Sequence, residues 1–187
     1  LIRRRFARHR LAVASFFLLI VLYVMAIFAE FFAPYPSMWK DLSRMYCPPQ
    51  TPRFSLEHGL HVYSMELRVD PVTFKKDYVE DRTQIVPLRF FAPGEPYKLW
   101  GLIPLRRHFL GPDLEAFAAG AGRSEPAAHP TFYLLGADKY GRDVLSRIIY
   151  GSRVSLSVGI VAIVITFILG IVIGGVSGYI GGAADTL

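Results

Sequence analysis

Two long uncharged runs dominate the pattern of apolar and polar positions. Residues 11–29 and residues 154–184 contain no Asp, Glu, Lys or Arg. Each reaches the roughly 20 residues that a helix rising about 1.5 Å per residue needs to cross a hydrocarbon core about 30 Å thick. The first run is built from Leu, Ile, Val and Phe with Tyr23 as its only large polar-tipped side chain, and Pro34 and Pro36 are expected to end it near Phe32. Glu30 falls at the outer end of that helix, at headgroup depth, where an ion-pathway role is the weaker reading.

Between the runs the chain is mixed in polarity and punctuated by proline, which predicts a folded insert over residues 34–135. From Val62 to Val69 the residues alternate, with Tyr63, Met65, Leu67 and Val69 on one face and Ser64, Glu66 and Arg68 on the other, the period of a half-buried strand. Asp70 followed by Pro71 resembles a cap and first helical position, predicting a short helix to about Val79. A second strand is expected over residues 85–91, at an edge because Pro87 cannot donate a ladder hydrogen bond. Pro93, Gly94, Glu95 and Pro96 predict a turn, residues 97–105 a third strand, and the Ala, Gly and Pro of residues 111–130 a loop.

Residues 136–153 carry a different pattern. At 100° per residue, Val144, Leu145, Ile148 and Ile149 fall within an arc of about 140°, and Asp143, Ser146, Arg147 and Tyr150 take the opposite side. This predicts an amphipathic helix lying on the bilayer surface, with Asp143 favourable in its first turn and an Asp143–Arg147 pair at four residues' spacing. The second membrane helix is then expected over residues 154–180. Gly170, Gly174 and Gly178 recur along it at intervals of four, a stripe on which another helix can pack closely.

Composition and charge fit this picture. The chain is 52% hydrophobic, above what a soluble core of 187 residues requires. Its formal net charge of +6 raises the question of nucleic acid, but Arg3, Arg4, Arg5, Arg8 and Arg10 crowd just before the first apolar run, where basic residues hold that end in the cytoplasm. The expected layout is a cytoplasmic basic tail over 1–10, a transmembrane helix over 11–33, an extracytoplasmic insert over 34–135, the amphipathic segment over 136–153, the second helix over 154–180 and the start of a cytoplasmic loop over 181–187. The first apolar run exceeds the roughly 7–15 residues of a signal peptide, so it is expected to stay attached. Leu1 stands where an initiator Met would, and the chain is expected to be a fragment of a longer one.

Catalytic and metal chemistry is weakly represented. Cys47 is the single cysteine, so no intrachain disulfide can form, and a small buried apolar role suits it best. His58 and His61 lack a third ligand and read as surface histidines. Arg106, Arg107 and His108 read as a solvated face, with a peptide carboxylate as the rival partner. A Walker-type phosphate loop is missing from the sequence, which leaves nucleotide to a partner.

The order Leu135-Gly136-Ala137-Asp138, then Gly141-Arg142-Asp143-Val144-Leu145-Ser146-Arg147, then Tyr150-Gly151-Ser152-Arg153, and finally Gly178-Tyr179-Ile180-Gly181-Gly182 with Asp185, resembles the signature of the second permease subunit of oligopeptide and dipeptide ABC importers. Ala137 replaces the family's usual Thr, and the opening with Phe31-Phe32-Ala33-Pro34-Tyr35 also matches. The resemblance implies an α-helical multi-pass membrane protein, the N-terminal portion of a type I ABC importer permease, with a mixed α/β extracytoplasmic insert between its first two transmembrane helices. It implies location in the bacterial inner membrane and a transport role without enzymatic activity of its own. The implied partners are a homologous permease, two ATP-binding subunits that hold ATP and magnesium, a periplasmic substrate-binding protein and membrane lipid, with no nucleic acid and no cofactor in this chain. Cargo stays open among peptides, nickel complexes and modified sugars. The rival reading is a membrane-anchored adhesion or structural protein.

Overall fold

The structure is a computed structural model that describes residues 9–72, 76–121 and 130–180. The basic cluster at Arg3 to Arg8 and the C-terminal Gly181, Gly182 and Asp185 lie outside the described residues. Helix α1 runs Arg10–Ile27 and is followed, after a break at Phe28, by a single turn α2 over Ala29–Phe32. Strands β1 (Arg53–Ser55), β2 (Gly59–Val69), β3 (Lys76–Leu99) and β4 (Ile103–Pro112) form one antiparallel sheet in sequence order. Helix α3 spans Leu114–Ala121 and helix α4 spans Val144–Ile180.

Among the described residues, α1 and α4 are long and apolar enough to cross a membrane, and the rest of the chain covers almost none of their side chains. The first helix is not the single rod expected. At Phe28 the ladder changes register, with the Phe31 and Phe32 amides both bonding the Phe28 carbonyl. That frees the carbonyls of Ala26 and Ile27, which side chains from elsewhere then take.

Among the described residues the insert is a four-stranded sheet with a 3-10 turn at Leu42–Arg44 and one short α-helix, and several of its elements differ from expectation. Among the described residues the expected helix after Asp70-Pro71 is not formed: Asp70 Oδ1 accepts the Val72 amide in a local turn, and Asp77, Tyr78 and Val79 pair with β2, while residues 73–75 lie outside the described residues. Local cap chemistry was outweighed by cross-strand pairing. The helix occurs instead at α3, inside the stretch expected to be a loop, with Asp113 Oδ1 accepting the Ala116 amide at its start.

Pro87 ends the ladder between β2 and β3, and pairing with β4 begins only at Leu88, so it has a strand partner on one side, as an edge position would. The 24-residue β3 exchanges partners there: residues 76–87 pair with β2 and residues 88–99 with β4. A proline, which has no amide hydrogen to donate, is tolerated at that handover. The expected turn at Pro93-Gly94-Glu95-Pro96 is a register shift within the β3–β4 pairing. The chain reverses later, at Trp100 and Gly101, both with positive φ, so the expected strand over 97–105 is split across a hairpin.

Two clusters of buried side chains form the interior. Val62, Val86, Leu88 and Phe132 make one, and Tyr35, Cys47, Met65, Tyr133 and Ala137 make the other. Val62 and Met65 have opposite strand parity, so β2 feeds both clusters, and the bulge near Tyr63 interrupts the simple alternation read from residues 62–69. Phe132 and Tyr133, adjacent in the chain, likewise go one to each. The second cluster places Cys47 at the base of the segment described next, where burial pushes its thiol up to about 11.

Candidate functional site

Residues 136–143 form a closed loop zipped onto residues 41–47. The Ala137 amide donates to the Cys47 carbonyl at 2.8 Å, the Tyr46 amide to the Asp138 carbonyl at 3.1 Å and the Asp41 amide to the Gly141 carbonyl at 3.1 Å. Two of the signature glycines are there for this approach. Gly136 (φ +81°) would place a Cβ 2.7 Å from the Cys47 carbonyl oxygen, and Gly141 (φ +69°) would place one 1.8 Å from that of Asp41.

Asp138 holds the loop closed. Its Oδ1 accepts the amides of Tyr140 (2.8 Å) and Arg142 (3.0 Å), and its Oδ2 accepts Arg142 Nε (3.0 Å) and Arg147 Nη1 (2.7 Å). Partial burial works against the carboxylate, but these donors outweigh it and hold Asp138 below the usual carboxylate range. Arg142 also covers the Tyr140 ring at 4.7 Å. The expected Asp143–Arg147 pair is therefore replaced by Asp138–Arg147.

Asp143 caps α4. Its Oδ2 accepts the Ser146 amide and hydroxyl, each at 2.7 Å, and Ser146 Oγ in turn accepts the Tyr35 amide at 3.1 Å. Oδ1 has no partner among the described residues, and burial raises the Asp143 pKa against the pull of these bonds. A cavity of about 160 Å³ opens beside it, lined by Tyr35, Trp39, Arg142, Ser146 and Tyr150 among others.

The start of this helix packs by both of its sides. Asp143, Ser146 and Ile149 are buried against the rest of the chain, whereas Ile148 is 55% exposed. No separate surface helix precedes the long one, because α4 runs unbroken from Val144. The polar side is held by the Tyr35 amide, which Ser146 accepts, and by the Asp138 carboxylate, which Arg147 reaches, partners that a helical-wheel pattern does not contain.

One turn further on, Arg153 joins the two long helices. Its Nη1 and Nη2 reach Glu30 Oε1 and Oε2 at 2.6 and 2.5 Å, its Nε reaches the Ala26 carbonyl at 2.8 Å and Nη2 the Ile27 carbonyl at 3.0 Å. A planar guanidinium suits this fork, which satisfies both oxygens of an acid and both carbonyls vacated at the helix break. Glu30, Tyr35 and Asp41 were not read as site residues from sequence. The available signal for Glu30 was its position: a lone acid ending one apolar run and a lone base opening the other.

The remaining singled-out residues divide. His61 and His108 are buried, contrary to expectation; His61 Nδ1 lies 3.0 Å from the Gly59 carbonyl, and His108 bridges the carbonyls of Ala33 (2.6 Å) and Glu95 (3.0 Å). Among the described residues no group of His, Cys, Asp or Glu is placed to hold a metal. A side chain at Gly151, Gly170, Gly174 or Gly178 would meet nothing within 4 Å of its Cβ among the described residues.

Comparison with known proteins bears on this arrangement. Residues 1–49 match the family described as the N-terminal TM domain of oligopeptide transport permease C. The Haemophilus influenzae dipeptide transport system permease protein DppC is 49% identical over 55 residues, 29% of this chain and 19% of the relative. The Bacillus subtilis DppC is 50% identical over 52 residues, 28% of this chain and 16% of the relative. The chain is similar to the OppC and DppC permeases of peptide ABC transporters. The H. influenzae oligopeptide permease OppC extends the likeness to 64 residues at 42% identity, 33% of this chain and 21% of that protein. The chain thus aligns with about a fifth of the length of the relatives it matches. No solved structure matches it. With its two apolar helices, this likeness marks an inner-membrane protein.

Proposed function

We propose that this chain is the membrane-entry portion of the second permease subunit of a peptide importer. In this reading its N-terminus faces the cytoplasm, residues 34–153 lie outside, and α4 returns the chain inward. The observation that carries it is the build of the 136–153 signature. It clamps the outer domain to the head of α4 through Asp138, Gly141 and Asp143, and clamps α4 to α1 through Arg153, so the two helices enter the bilayer as one unit.

The exposed stripe of Gly170, Gly174 and Gly178 supports a close contact with a helix outside this segment. A homologous permease is the partner proposed for it, with two ATP-binding subunits supplying ATP hydrolysis and a periplasmic binding protein delivering peptide. The chain itself carries no catalytic role in this scheme.

Affinity purification from mild detergent tests the proposal. A second permease and ATP-binding subunits are expected to co-purify, and replacing Gly174 with Leu should weaken that association without unfolding the chain. Repeated recovery of this chain alone would favour a tethered adhesion protein instead.

A further inference from the structure

The β3–β4 hairpin ends in a turn whose chemistry suits lipid better than water. From Leu99 through Leu105 the sequence carries no charged side chain, and Trp100, Leu102, Ile103 and Leu105 are all exposed. Trp100 occupies a left-handed backbone position (φ +53°) where Gly or Asn is the ordinary occupant of such a tight turn. A large aromatic side chain held there against backbone preference is a sign of use. Behind the tip, Lys98, Arg106 and Arg107 stand exposed on the same hairpin.

The hairpin's direction is fixed by its contacts with the first helix. Trp100 Nε1 donates to the Ile27 carbonyl at 2.8 Å, and its ring lies 5.5 Å from that of Phe28. Further from the tip, Phe91 and Phe109 meet Phe31 at 5.8 and 6.0 Å, and Phe109 meets Phe32 at 5.3 Å. As the chain leaves the apolar helix from residue 27 to residue 32, its hairpin partners move from the tip towards the sheet. The tip therefore points back towards the apolar span, and its exposed side chains continue the uncovered surface of α1.

We infer that the β3–β4 tip is a membrane anchor: Trp100, Leu102 and Ile103 enter the outer leaflet beside α1, while Lys98, Arg106 and Arg107 sit among the phosphates. An apolar end, an aromatic collar around Phe28, Phe31, Phe91 and Phe109, and a basic rim follow the depth order of an interfacial segment. This rests on the reading that α1 crosses the bilayer. It fixes the domain at two places, so the sheet does not swing freely on the helices.

The test uses the full chain in nanodiscs of phosphatidylethanolamine and phosphatidylglycerol with brominated acyl chains. Trp39→Phe leaves Trp100 as the sole tryptophan. Its emission is expected to lose most of its intensity to lipid bromine and little to aqueous iodide; in the Trp100→Phe chain, Trp39 should respond weakly to the lipid. A spin label at Leu102→Cys provides a second reporter should the Trp39 variant misfold, with greater oxygen than nickel-chelate accessibility expected. A label at Leu19→Cys in α1 separates the two ideas. Lipid access at residue 19 combined with water access, or with shielding from both probes, at residue 102 would overturn the anchor alone; water access at residue 19 would remove the membrane reading beneath it.

Discussion

At the scale of single residues, backbone contact and charge pairing make separable demands. Gly141→Ala would drive a methyl into the Asp41 carbonyl at a left-handed position and should cost at least about 2 kcal/mol of stability. Gly151→Ala meets nothing and should leave thermal unfolding in detergent unchanged or slightly raised. Arg153→Ala strands Glu30 and the Ala26 carbonyl, the Ile27 carbonyl keeping Trp100 Nε1; a loss of roughly 2–3 kcal/mol is expected, less than for a fully buried pair because the Arg153 side chain is 35% exposed. Arg153→Lys keeps the charge but not the fork, so its loss should fall between that of alanine and none. Equal melting of all three proteins would refute the clamp.

The two aspartates of the signature should respond to pH with opposite sign. Asp138 is held low, so its stabilisation is complete above the unfolded value of about 3.9 and is lost as pH falls through the lower folded value. Asp143 is raised, so the fold prefers its protonated form and stability declines as pH rises from about 3.9 through the folded value. Asp143→Asn should keep the cap and abolish that decline, whereas Asp143→Ala should lose about 1 kcal/mol of capping. Thermal melts of the variants across this pH range decide the matter, and an Asn variant as unstable as the Ala variant would show that ionisation of Asp143 is needed.

At the scale of elements, the two apolar helices were legible from sequence because each is a local property, whereas the loop over residues 136–143 was read only as part of an amphipathic segment. Long uncharged runs state their own structure, but the need of Gly136 and Gly141 for positive φ shows only once residues 41–47 pack against them. The hairpin, the partner exchange at Pro87 and the inward-facing polar side of α4 were not legible, since each depends on which distant strand or loop supplies the partner. Asp70-Pro71 shows the limit plainly: a sound local helix signal yields to pairing with β2. His108 shows it from the other side, as an apparently solvated residue that links β4 to the carbonyl of Ala33. His108→Ala should therefore cost about 2–4 kcal/mol and loosen α2 from the hairpin, read as faster amide exchange in residues 29–33. Exchange unchanged there would mean that the aromatic contacts of Phe31 and Phe32 suffice.

At the scale of the whole molecule, a domain sits between two apolar helices and is tied to both at one end. Asp138 and Gly141 fasten it to the start of α4, Trp100 and His108 fasten it to the end of α1, and Arg153 fastens the helices to each other. These ties lie together, so they define one level along the helix axes from which the domain rises and the apolar surfaces descend. The importer role proposed above requires that level to be the outer face of the bilayer. Labelling of single cysteines at Leu56, Lys139 and Tyr179, each introduced into the Cys47→Ala chain, with a membrane-impermeant maleimide, in spheroplasts before and after lysis, tests this most directly. The account predicts labelling of Leu56→Cys and Lys139→Cys in intact spheroplasts and of Tyr179→Cys only after lysis; protection of the first two until lysis would contradict it.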